Sequence, residues 1–404
     1  MSLNKYSASI KTNGQVWTWG EGTAGQLGQG AKSNRSSPVS VIGNHSFMAL
    51  AIGASHCIVL KQNLISWGFG RNFYGQIGDN TRVDKSSPVQ AVGAHSFIQI
   101  SAGSEFSAGI KSNYTAWTWG SGTDGRLGNN AVTSYSSPIQ VVGNHSFLKI
   151  VCGSCYAIGL KPDGKLWGWG GNFHGNIGDG SNANRSSPVA TVGNHSFIDF
   201  DCGDRHNVGL KANGEAWCWG RNVNGQLGNN TRTSTNSPVK VVGDHSFWKV
   251  AVTGDTDYGT TYGLKRNGTL WAWGTNQYGQ CGTNNLTNYS SPVQVVGNHS
   301  FYSILTGNVH IMAIKSNGQV WTWGQGSLGR LGDNTATSKS SPVQVVGAHS
   351  FLYLREGLYD PHLNVSGKWK HYPVMWVNVE GTWKRVGTIY TNVNGTWKIN
   401  APAH

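Results

Sequence analysis

Four short landmarks recur seven times along this chain, always in the same order and roughly 50 residues apart. Each unit contains Trp-x-Trp-Gly or one variant of it, then Gly-x-Ile/Leu-Gly (with Cys281 in one unit), then Ser-Pro and then His-Ser-Phe. The prolines are Pro38, Pro88, Pro138, Pro188, Pro238, Pro292 and Pro342, and the histidines are His45, His95, His145, His195, His245, His299 and His349. An unbroken period of this length predicts one repeat architecture rather than several unrelated domains.

The tryptophan landmark indicates how the units pack. It occurs at Trp17/Trp19, Trp117/Trp119, Trp167/Trp169, Trp217/Trp219, Trp271/Trp273 and Trp321/Trp323. We interpret the seventh copy as Ile65 and Trp67, so that the residue between the two positions is always small, with Ser66 in this unit. Because side chains alternate faces along a strand, each sheet has one face with two large rings and one nearly flat face. Stacked blades require this arrangement.

Each unit is predicted to form four short strands, since β-branched and alternating segments are separated by Gly, Asn and Pro. In one unit we expect strands at Ile98–Ser101, Ser107–Lys111, Ala116–Trp119 and Ile139–Val142. Seven such units predict an all-β, seven-bladed β-propeller with four-stranded blades over residues 1–357. The last unit ends with a spare first strand and the chain begins at a second strand. We therefore expect Ser350–Gly357 to pair with Tyr6–Asn13 and close the ring.

The composition narrows the choice of protein class. Charged residues make up only 12% of the chain and glycine contributes 57 of 404 residues, which is typical of short strands joined by turns. The formal net charge is +13 without any run of four basic residues, so we expect weak attraction to polyanions rather than a specific nucleic-acid site. We also expect no signal peptide and no membrane span. The six cysteines are predicted to be free thiols in a reducing compartment, such as the cytoplasm.

Residues 358–404 form a different kind of segment. A Val-Asn-x-Gly-x-Trp-Lys pattern or a close variant occurs three times, and its tryptophans, Trp369, Trp383 and Trp397, are 14 residues apart. Each copy predicts two strands joined by a tight turn. So short a segment can hardly bury a core of its own. We therefore predict a small C-terminal β-hairpin module that docks on another surface and serves as an anchor.

Three groups of residues have side chains that could bind a metal ion or take part in redox chemistry. The His-Ser-Phe histidines are related by rotation about the ring, so they should lie too far apart to share a metal ion. Cys152 and Cys155 form a CxxC pattern across a turn between strands, not at the helix start that redox use favours. Asp255 and Asp257 lie in an expanded loop, and whether they bind a cation stays open. We predict a non-enzymatic protein without catalytic, cofactor-binding or metal-binding residues.

The loops that follow Trp-Gly vary most between units and should all emerge on one rim of the ring. They comprise residues 21–24, 71–74, 121–124, 171–174, 221–224, 275–278 and 325–328. Loops on a rigid scaffold are common recognition sites, and exposed aromatic and Arg side chains are common contact anchors. The predicted binding residues are Arg71, Phe73, Tyr74, Phe173, His174, Arg221 and Tyr278. The alternative is that these rings pack down over the blades.

The units resemble those of the regulator-of-chromosome-condensation repeat family, whose seven-bladed propellers carry Trp-Gly, Gly-Gln-Leu-Gly and Pro signatures. The resemblance covers residues 1–357, and a bacterial β-lactamase-inhibitory propeller is similar too. The founder of the family is an exchange factor for a small GTPase and binds chromatin. This sequence departs from the founder because we expect neither a basic N-terminal arm nor a β-wedge insertion. Assigning exchange activity to this chain would therefore rest on the resemblance in fold alone.

The C-terminal repeats resemble short repeats in bacteriophage virion proteins, such as tail, neck and fibre components. This resemblance leads us to expect a virion structural or adhesion protein, assembled in the host cytoplasm, whose propeller is a scaffold for host recognition. Its partners would be other virion subunits or a host receptor, protein or glycan, with homo-oligomerisation through the tail. Two alternatives stay open: a cellular regulator that binds a small GTPase or chromatin, and a secreted bacterial inhibitor or glycan-binding propeller.

Overall fold

A computed structural model of the chain describes residues 6–11, 13–93, 95–254 and 258–347, together with the backbone of four strands between residues 362 and 386. Contacts divide the chain into residues 1–357 and residues 358–404, and each unit is described by itself. Within the described part of the first unit there are six four-stranded antiparallel sheets and one three-stranded sheet. The predicted all-β, seven-bladed propeller is confirmed. None of the helices in the described ranges is long and apolar enough to span a membrane.

The blades surround a central axis, because the first strands of neighbouring blades contact one another. These first strands are β4 (Phe47–Ile52), β8 (Phe97–Ala102), β12 (Lys149–Cys152), β16 (Asp199–Cys202), β20 (Lys249–Val252) and β24 (Ser303–Thr306). The second strands are β1 (Tyr6–Ile10), β5 (His56–Lys61), β9 (Phe106–Lys111), β13 (Tyr156–Leu160), β17 (His206–Leu210), β21 (Thr260–Leu264) and β25 (His310–Ile314).

The third and fourth strands form the outer half of each blade. The third strands are β2 (Val16–Gly20), β6 (Ser66–Gly70), β10 (Ala116–Gly120), β14 (Leu166–Gly170), β18 (Ala216–Gly220), β22 (Leu270–Gly274) and β26 (Val320–Gly324). The fourth strands are β3 (Arg35–Ser40), β7 (Lys85–Gln90), β11 (Tyr135–Gln140), β15 (Arg185–Ala190), β19 (Thr235–Lys240), β23 (Tyr289–Gln294) and β27 (Lys339–Gln344). Two 3-10 turns, Thr123–Gly125 and Ser327–Gly329, lie between third and fourth strands.

The fourth strand lies earlier in the unit than we predicted. The expected segment was Ile139–Val142, whereas β11 spans Tyr135–Gln140 and contains Pro138. Proline lacks a backbone N–H, but β11 is the outer edge of its sheet, where proline is tolerated. The pairing of β10 with β11 also shifts register between Thr118 and Gly120. The Ser-Pro landmark is therefore part of a bulged edge strand and does not precede it.

The second tryptophan of the motif joins neighbouring blades. It is fully buried in six blades, at Trp19, Trp119, Trp169, Trp219, Trp273 and Trp323. The indole N–H of Trp119 donates to the carbonyl of Gln76 at 2.9 Å, and that of Trp219 donates to the carbonyl of Asn176 at 2.9 Å. Each acceptor lies 43 residues earlier, in the preceding blade. One ring thus contributes apolar burial and an inter-blade hydrogen bond.

The last glycine of Gly-x-Ile/Leu-Gly makes room for the tryptophan of the next blade. A Cβ on Gly128 would lie 2.7 Å from Nε1 of Trp169, and a Cβ on Gly228 would lie 2.6 Å from Nε1 of Trp273. Both glycines have a φ of +62°, a conformation that side-chain-bearing residues rarely adopt. The tryptophan and glycine landmarks, about 40 residues apart, are therefore two sides of one contact.

The first and last blades meet through the same contact. The indole N–H of Trp19 donates to the carbonyl of Arg330 at 2.9 Å, and the Trp19 ring packs in a cluster with Leu305 and Met312. A Cβ on Gly332 would lie 3.0 Å from the same indole nitrogen. The seven blades thus form a closed ring. The predicted pairing of Ser350–Gly357 with the N-terminal strand lies outside the described residues and stays a prediction.

Buried histidines also connect the blades. In three blades the second strand begins with a histidine whose Nε2 lies within hydrogen-bonding distance of a hydroxyl in the next blade. The pairs are His56 with Ser107 (2.9 Å), His206 with Thr261 (2.9 Å) and His310 with Ser7 (2.8 Å). Each hydroxyl donates to a backbone carbonyl, so the imidazole must be the donor in these pairs. Burial lowers the pKa of all three histidines to about 3, so they are neutral at pH 7.

One blade corrects our interpretation of its tryptophan motif. Trp67 pairs with Val59, which is the register of the first tryptophan in the other blades. Phe69 occupies the second position and is fully buried. The small residue between the two aromatic positions is therefore Gly68, not Ser66. Aligning the units on tryptophan alone caused the error, because phenylalanine fills the same space without an indole N–H.

The unit of residues 358–404 contains two described hairpins. Their strands are β28 (His362–Val365), β29 (Lys368–His371), β30 (Met375–Val379) and β31 (Thr382–Val386). In the antiparallel register Trp369 is opposite Asn364, and Trp383 is opposite Asn378. Trp397 lies outside the described residues. The anchoring role of the three tryptophans and of this unit stays a prediction.

We expect Gly228→Ala to lower the free energy of unfolding by about 1–3 kcal/mol more than Gly180→Ala, because only the first variant places a methyl group against an indole ring. Gly180 also has a positive φ, +79°, but its Cβ would be no closer than 3.7 Å to a neighbour, Cγ1 of Val192. It therefore controls for backbone strain. Urea unfolding followed by tryptophan fluorescence would measure both variants. Equal losses would show that backbone conformation, not the indole, requires glycine at residue 228.

Candidate protein-binding rim

Two kinds of loop lie at one end of every blade, because adjacent strands are antiparallel. These are the turns between first and second strands and the longer loops between third and fourth strands, and we call this end the loop rim. Its longer loops comprise residues 21–34, 71–84, 121–134, 171–184, 221–234, 275–288 and 325–338. All the predicted binding residues of the propeller lie in these loops.

A buried asparagine holds several of these loops in shape. Nδ2 of Asn72 donates to Oδ1 of Asp79 at 2.9 Å and to the carbonyl of Thr81 at 3.1 Å, while its Oδ1 accepts the N–H of Ile77 at 2.9 Å. Equivalent residues with the same role are Asn172, Asn222 and Asn276. We did not predict these asparagines, although Trp/Phe-Gly-x-Asn recurs in four units and was a usable signal.

Two acidic residues of the longer loops, Asp79 and Asp179, are paired and ionised. Burial raises the pKa of Asp79, but hydrogen bonds from Thr81, Lys85 and Asn72 outweigh burial and hold this pKa below its usual value. Asp179 is held in the same way, and its closest cation is Arg185, at 2.7 Å. These carboxylates therefore stabilise the loops and offer no proton for acid catalysis near pH 7.

Each loop also rests on the next blade. The N–H of Asn80 donates to the carbonyl of Ser136 at 2.9 Å, and the N–H of Gly180 donates to the carbonyl of Asn236 at 3.0 Å. A Cβ on Gly75 would collide with the backbone of Ser136. The loops are thus fixed by the neighbouring blade and, in four blades, by their own asparagine as well, and they form a rigid surface.

The predicted binding residues divide into exposed and half-buried groups. Phe73 and Phe173 are 59% and 60% exposed, although each is a large apolar side chain. The half-buried residues are Arg71, Tyr74, His174, Arg221 and Tyr278. The two phenylalanines therefore fit the expected contact anchors, whereas the other five side chains are partly packed over the blades.

Several of these residues contact one another or a residue that we did not predict. The contacts are Phe73 with Tyr74 (ring centroids 4.9 Å apart), Nε2 of His174 with a guanidinium nitrogen of Arg205 (3.2 Å), and Tyr278 with Tyr258 (ring centroids 5.5 Å apart). Val223, 43% exposed, occupies the position of Phe73 and Phe173 in its own blade. Its sequence position, two residues after Arg221, was the signal that could have identified it.

The thiols and acidic groups offer no reactive cluster. Burial raises the pKa of Cys152 to about 12 and that of Cys155 to about 11, so neither is a thiolate near pH 7. Across the residues with described side chains, no group of three His, Cys, Asp or Glu could hold a metal ion. Asp255 and Asp257 lie outside the described residues. The described part of the loop rim therefore suits recognition better than covalent chemistry.

A family model for the regulator of chromosome condensation (RCC1) repeat matches residues 13–60, 66–110, 115–160, 163–210, 213–255, 267–314 and 317–352. The chain belongs to the RCC1 repeat family. A second model of the same repeat matches residues 147–176 and 197–226 of this RCC1-repeat propeller. No curated protein matches its sequence significantly.

Solved RCC1-type propellers share the fold. Human WBSCR16 is 18% identical with a TM-score of 0.74, and the match covers 83% of this chain and 94% of that protein. Prp20p from Saccharomyces cerevisiae, described with its binding properties to Gsp1p and histones, is 18% identical with a TM-score of 0.74 and coverages of 84% and 88%. Yeast RCC1 (Prp20) bound to Kap60 is 18% identical with a TM-score of 0.72, and the match covers 86% of this chain and 86% of that protein. These likenesses show that the fold is shared, and they give no support to the virion interpretation.

We expect Asn172→Ala to lower the free energy of unfolding by about 1–3 kcal/mol, since it leaves the N–H of Ile177 and several loop acceptors without their partner. Asn182→Ala, at the exposed tip of the same loop, should cost under about 0.5 kcal/mol. Thermal unfolding would measure both variants, and hydrogen exchange in residues 171–184 would show whether the loop opens. Equal stability of the two variants would contradict the role assigned to the buried asparagine.

Proposed function

We propose that this chain is a non-enzymatic, regulator-type binding protein that holds a partner protein on its loop rim, and that a small GTPase is the first partner to test. The observation that carries the proposal is the exposure of Phe73 and Phe173 on loops that are otherwise fixed by buried hydrogen bonds. Exposed aromatic side chains on a rigid surface lose little entropy on binding, which makes them efficient anchors.

The choice of partner rests on the family. Propellers of the RCC1 type are typically binding or exchange-factor proteins. Prp20p has been characterised for binding to Gsp1p and to histones, and its propeller shares the fold of this chain. A protein partner is therefore a better-supported candidate than a small-molecule substrate. Histone-containing chromatin is the second partner that this likeness favours.

The loop rim has a suitable distribution of charge for a protein partner. Basic and acidic side chains are interspersed, and ion pairs such as Asp79 with Lys85 (3.1 Å) neutralise part of the charge. A rim of mixed charge around apolar anchors is the usual anatomy of a specific protein interface. A surface for nucleic acid would instead need a dominant excess of Lys and Arg.

We expect the double variant Phe73→Ser/Phe173→Ser to weaken binding of a small GTPase of the Gsp1p type by about 30-fold, which corresponds to the loss of an interface hot spot of about 2 kcal/mol. The matched control is Val132→Ser/Leu286→Ser, because these apolar side chains are 66% and 59% exposed on the outer part of the same rim. Surface plasmon resonance with the immobilised GTPase, nucleotide-free and loaded with GDP or GTP, would measure both variants. Equal weakening by the two variants, or no binding by the full-length protein, would contradict the proposal.

The virion interpretation is the second candidate, and the tail repeats around Trp369, Trp383 and Trp397 are the observation that favours it. In that case the protein would be located in the virion, whereas the regulator-type proposal places it in the cytoplasm. We then expect deletion of residues 358–404 to abolish incorporation into particles while leaving the thermal unfolding of the propeller unchanged. Normal incorporation of the truncated protein would contradict an anchoring tail.

A further inference from the structure

The end of the ring opposite the loop rim has its own repeated structure, and we call it the hairpin rim. It consists of the hairpins at the ends of the second strands (residues 11, 13–15, 61–65, 111–115, 161–165, 211–215, 265–269 and 315–319) and the connections between blades (residues 41–46, 91–93, 95–96, 141–148, 191–198, 241–248 and 295–302). The His-Ser-Phe landmark and the first tryptophan of each motif meet at this rim. The proposed binding function of the loop rim uses none of these residues.

A lysine, a tryptophan and a histidine form one stack per blade on the hairpin rim. Nζ of Lys111 lies 3.8 Å from the ring centroid of Trp117, and the imidazole centroid of His95 lies 4.4 Å from the same ring. The other complete stacks contain Lys61, Lys161, Lys211, Lys265 and Lys315, with Nζ to ring distances of 3.9–4.8 Å. Lys11 stacks on Trp17 in the first blade at 3.7 Å. The structure thus fixes one ammonium group per blade by cation–π contact.

The stacked histidines add no charge of their own at neutral pH. Burial, and then the charge of the stacked lysine, lowers the pKa of His95, His145 and His195 below its usual value. Each stack therefore carries a single positive charge, on the lysine. Because the ammonium is already held against the indole, less side-chain entropy is lost when it binds an anion.

Little on the hairpin rim neutralises these lysines. Its described residues include nine basic side chains and three acidic ones, Asp163, Glu215 and Asp244. None of the seven stacked lysines forms an ion pair with a described residue, whereas acids and bases on the loop rim are paired repeatedly. The hairpin rim is thus a fixed ring of positive charge with an unbalanced field.

The middle of this rim is apolar. One apolar residue at the start of each described first strand lies there. Met48 and Ile98 are the second residues of their strands, and the other four directly precede theirs: Leu148, Ile198, Trp248 and Tyr302. All six are half-buried or exposed, and Tyr302 and Ile198 are 48% and 39% exposed. The rings of Trp248 and Tyr302 are 6.3 Å apart, so these two neighbouring blades contribute to one apolar surface. We call the six residues the apolar centre.

One blade contains an example of how this rim binds a carboxylate. The carboxylate of Glu215 accepts a hydrogen bond from Nζ of Lys240 at 2.6 Å and one from the indole N–H of Trp217 at 3.4 Å. The hydrogen bond from Lys240 contributes most to holding the pKa of Glu215 at about 2. In other blades the indole N–H groups of Trp67 and Trp167 have no acceptor among the described residues. An incoming carboxylate would meet the ammonium groups of the other blades as Glu215 meets that of Lys240.

We infer that the hairpin rim is a second binding surface, on which the ring of stacked lysines and the apolar centre receive an acidic protein segment with an apolar anchor. A single-stranded nucleic acid fits less well, because lysine and histidine already cover the indole faces on which bases would stack. A duplex would leave the apolar centre in water. The composition of residues 358–404 does not match this acidic ligand, since they contain Asp360 and Glu380 against five Lys and Arg residues.

The test is fluorescence anisotropy of the full-length protein with three labelled probes: a peptide of alternating Glu and Leu, an all-Glu peptide and a DNA duplex. We expect Lys111→Met/Lys161→Met/Lys211→Met to weaken binding of the Glu-Leu peptide by about tenfold or more. Methionine keeps the aliphatic contact with the indole. The matched control, Lys32→Met/Arg82→Met/Arg232→Met, removes the same charge from exposed positions on the loop rim and should change affinity less than about twofold. If the triple variant does not fold, each single Lys→Met variant should weaken binding by about twofold.

The apolar centre has its own readout. We expect Ile198→Ser/Tyr302→Ser to weaken the Glu-Leu peptide by about fivefold and to leave the all-Glu peptide unchanged, because only the first probe carries apolar side chains. If the two triple variants lost equal affinity for the Glu-Leu peptide, net charge alone would explain the binding, and the inference would be overturned. Tighter binding of the duplex than of the Glu-Leu peptide, with no effect of the centre variant, would also overturn it in favour of a polyphosphate surface. Failure here would leave the GTPase test on the loop rim unaffected.

Discussion

The contact between the second tryptophan of one blade and the glycine and carbonyl of the blade before it determines the rest of this structure. The indole ring of Trp119 fills its own blade, packs where Gly78 has no side chain and donates to the carbonyl of Gln76. Repetition of this contact sets the distance between blades. Because Trp19 makes it with Gly332 and Arg330, the seventh interface has the geometry of those made by Trp119, Trp219 and Trp323, and the ring needs no special closing device in its described part.

Two different rims follow from this contact. Neighbouring blades are held at the level of the tryptophan, so the loops beyond it are free to vary in sequence while they stay fixed in space. On the loop rim, Asn172 and the bond from Gly180 to the next blade provide that fixation. On the hairpin rim, stacks such as Lys111 on Trp117 provide it. The first arrangement leaves different side chains exposed in each blade, whereas the second repeats the same charge around the ring. A rim whose exposed side chains differ between blades suits one specific partner, whereas a rim that repeats the same charge suits a partner of opposite charge.

The repeat made the fold predictable, but not the partners of each side chain. Strand order, blade number and the position of the variable loops followed from the period, because any seven copies of a four-stranded unit must place equivalent loops on one rim. The unit with Phe69 was misread since a tryptophan count cannot distinguish the two aromatic positions. Exposure of Phe73 beside a half-buried Tyr74 could not be predicted either, because both are aromatic residues in one turn and only the neighbouring blade decides which ring packs. The stacking of the His-Ser-Phe histidines on tryptophan could not be predicted, because the two residues of each pair, such as His95 and Trp117, are about 20 positions apart.

A rigid ring with two unlike rims can bind two partners without any conformational change. The three histidines that connect described blades, such as His206, are neutral at pH 7 and so cannot act as switches near neutral pH. Binding at one rim should therefore not alter affinity at the other, since coupling requires two states that both ligands bias. A propeller of this kind would act by proximity: a partner held by aromatic anchors on the loop rim would be brought near an acidic partner on the hairpin rim. Specificity would then come from Phe73 and Phe173, while the unbalanced positive field of the lysine ring would mainly raise the rate of encounter.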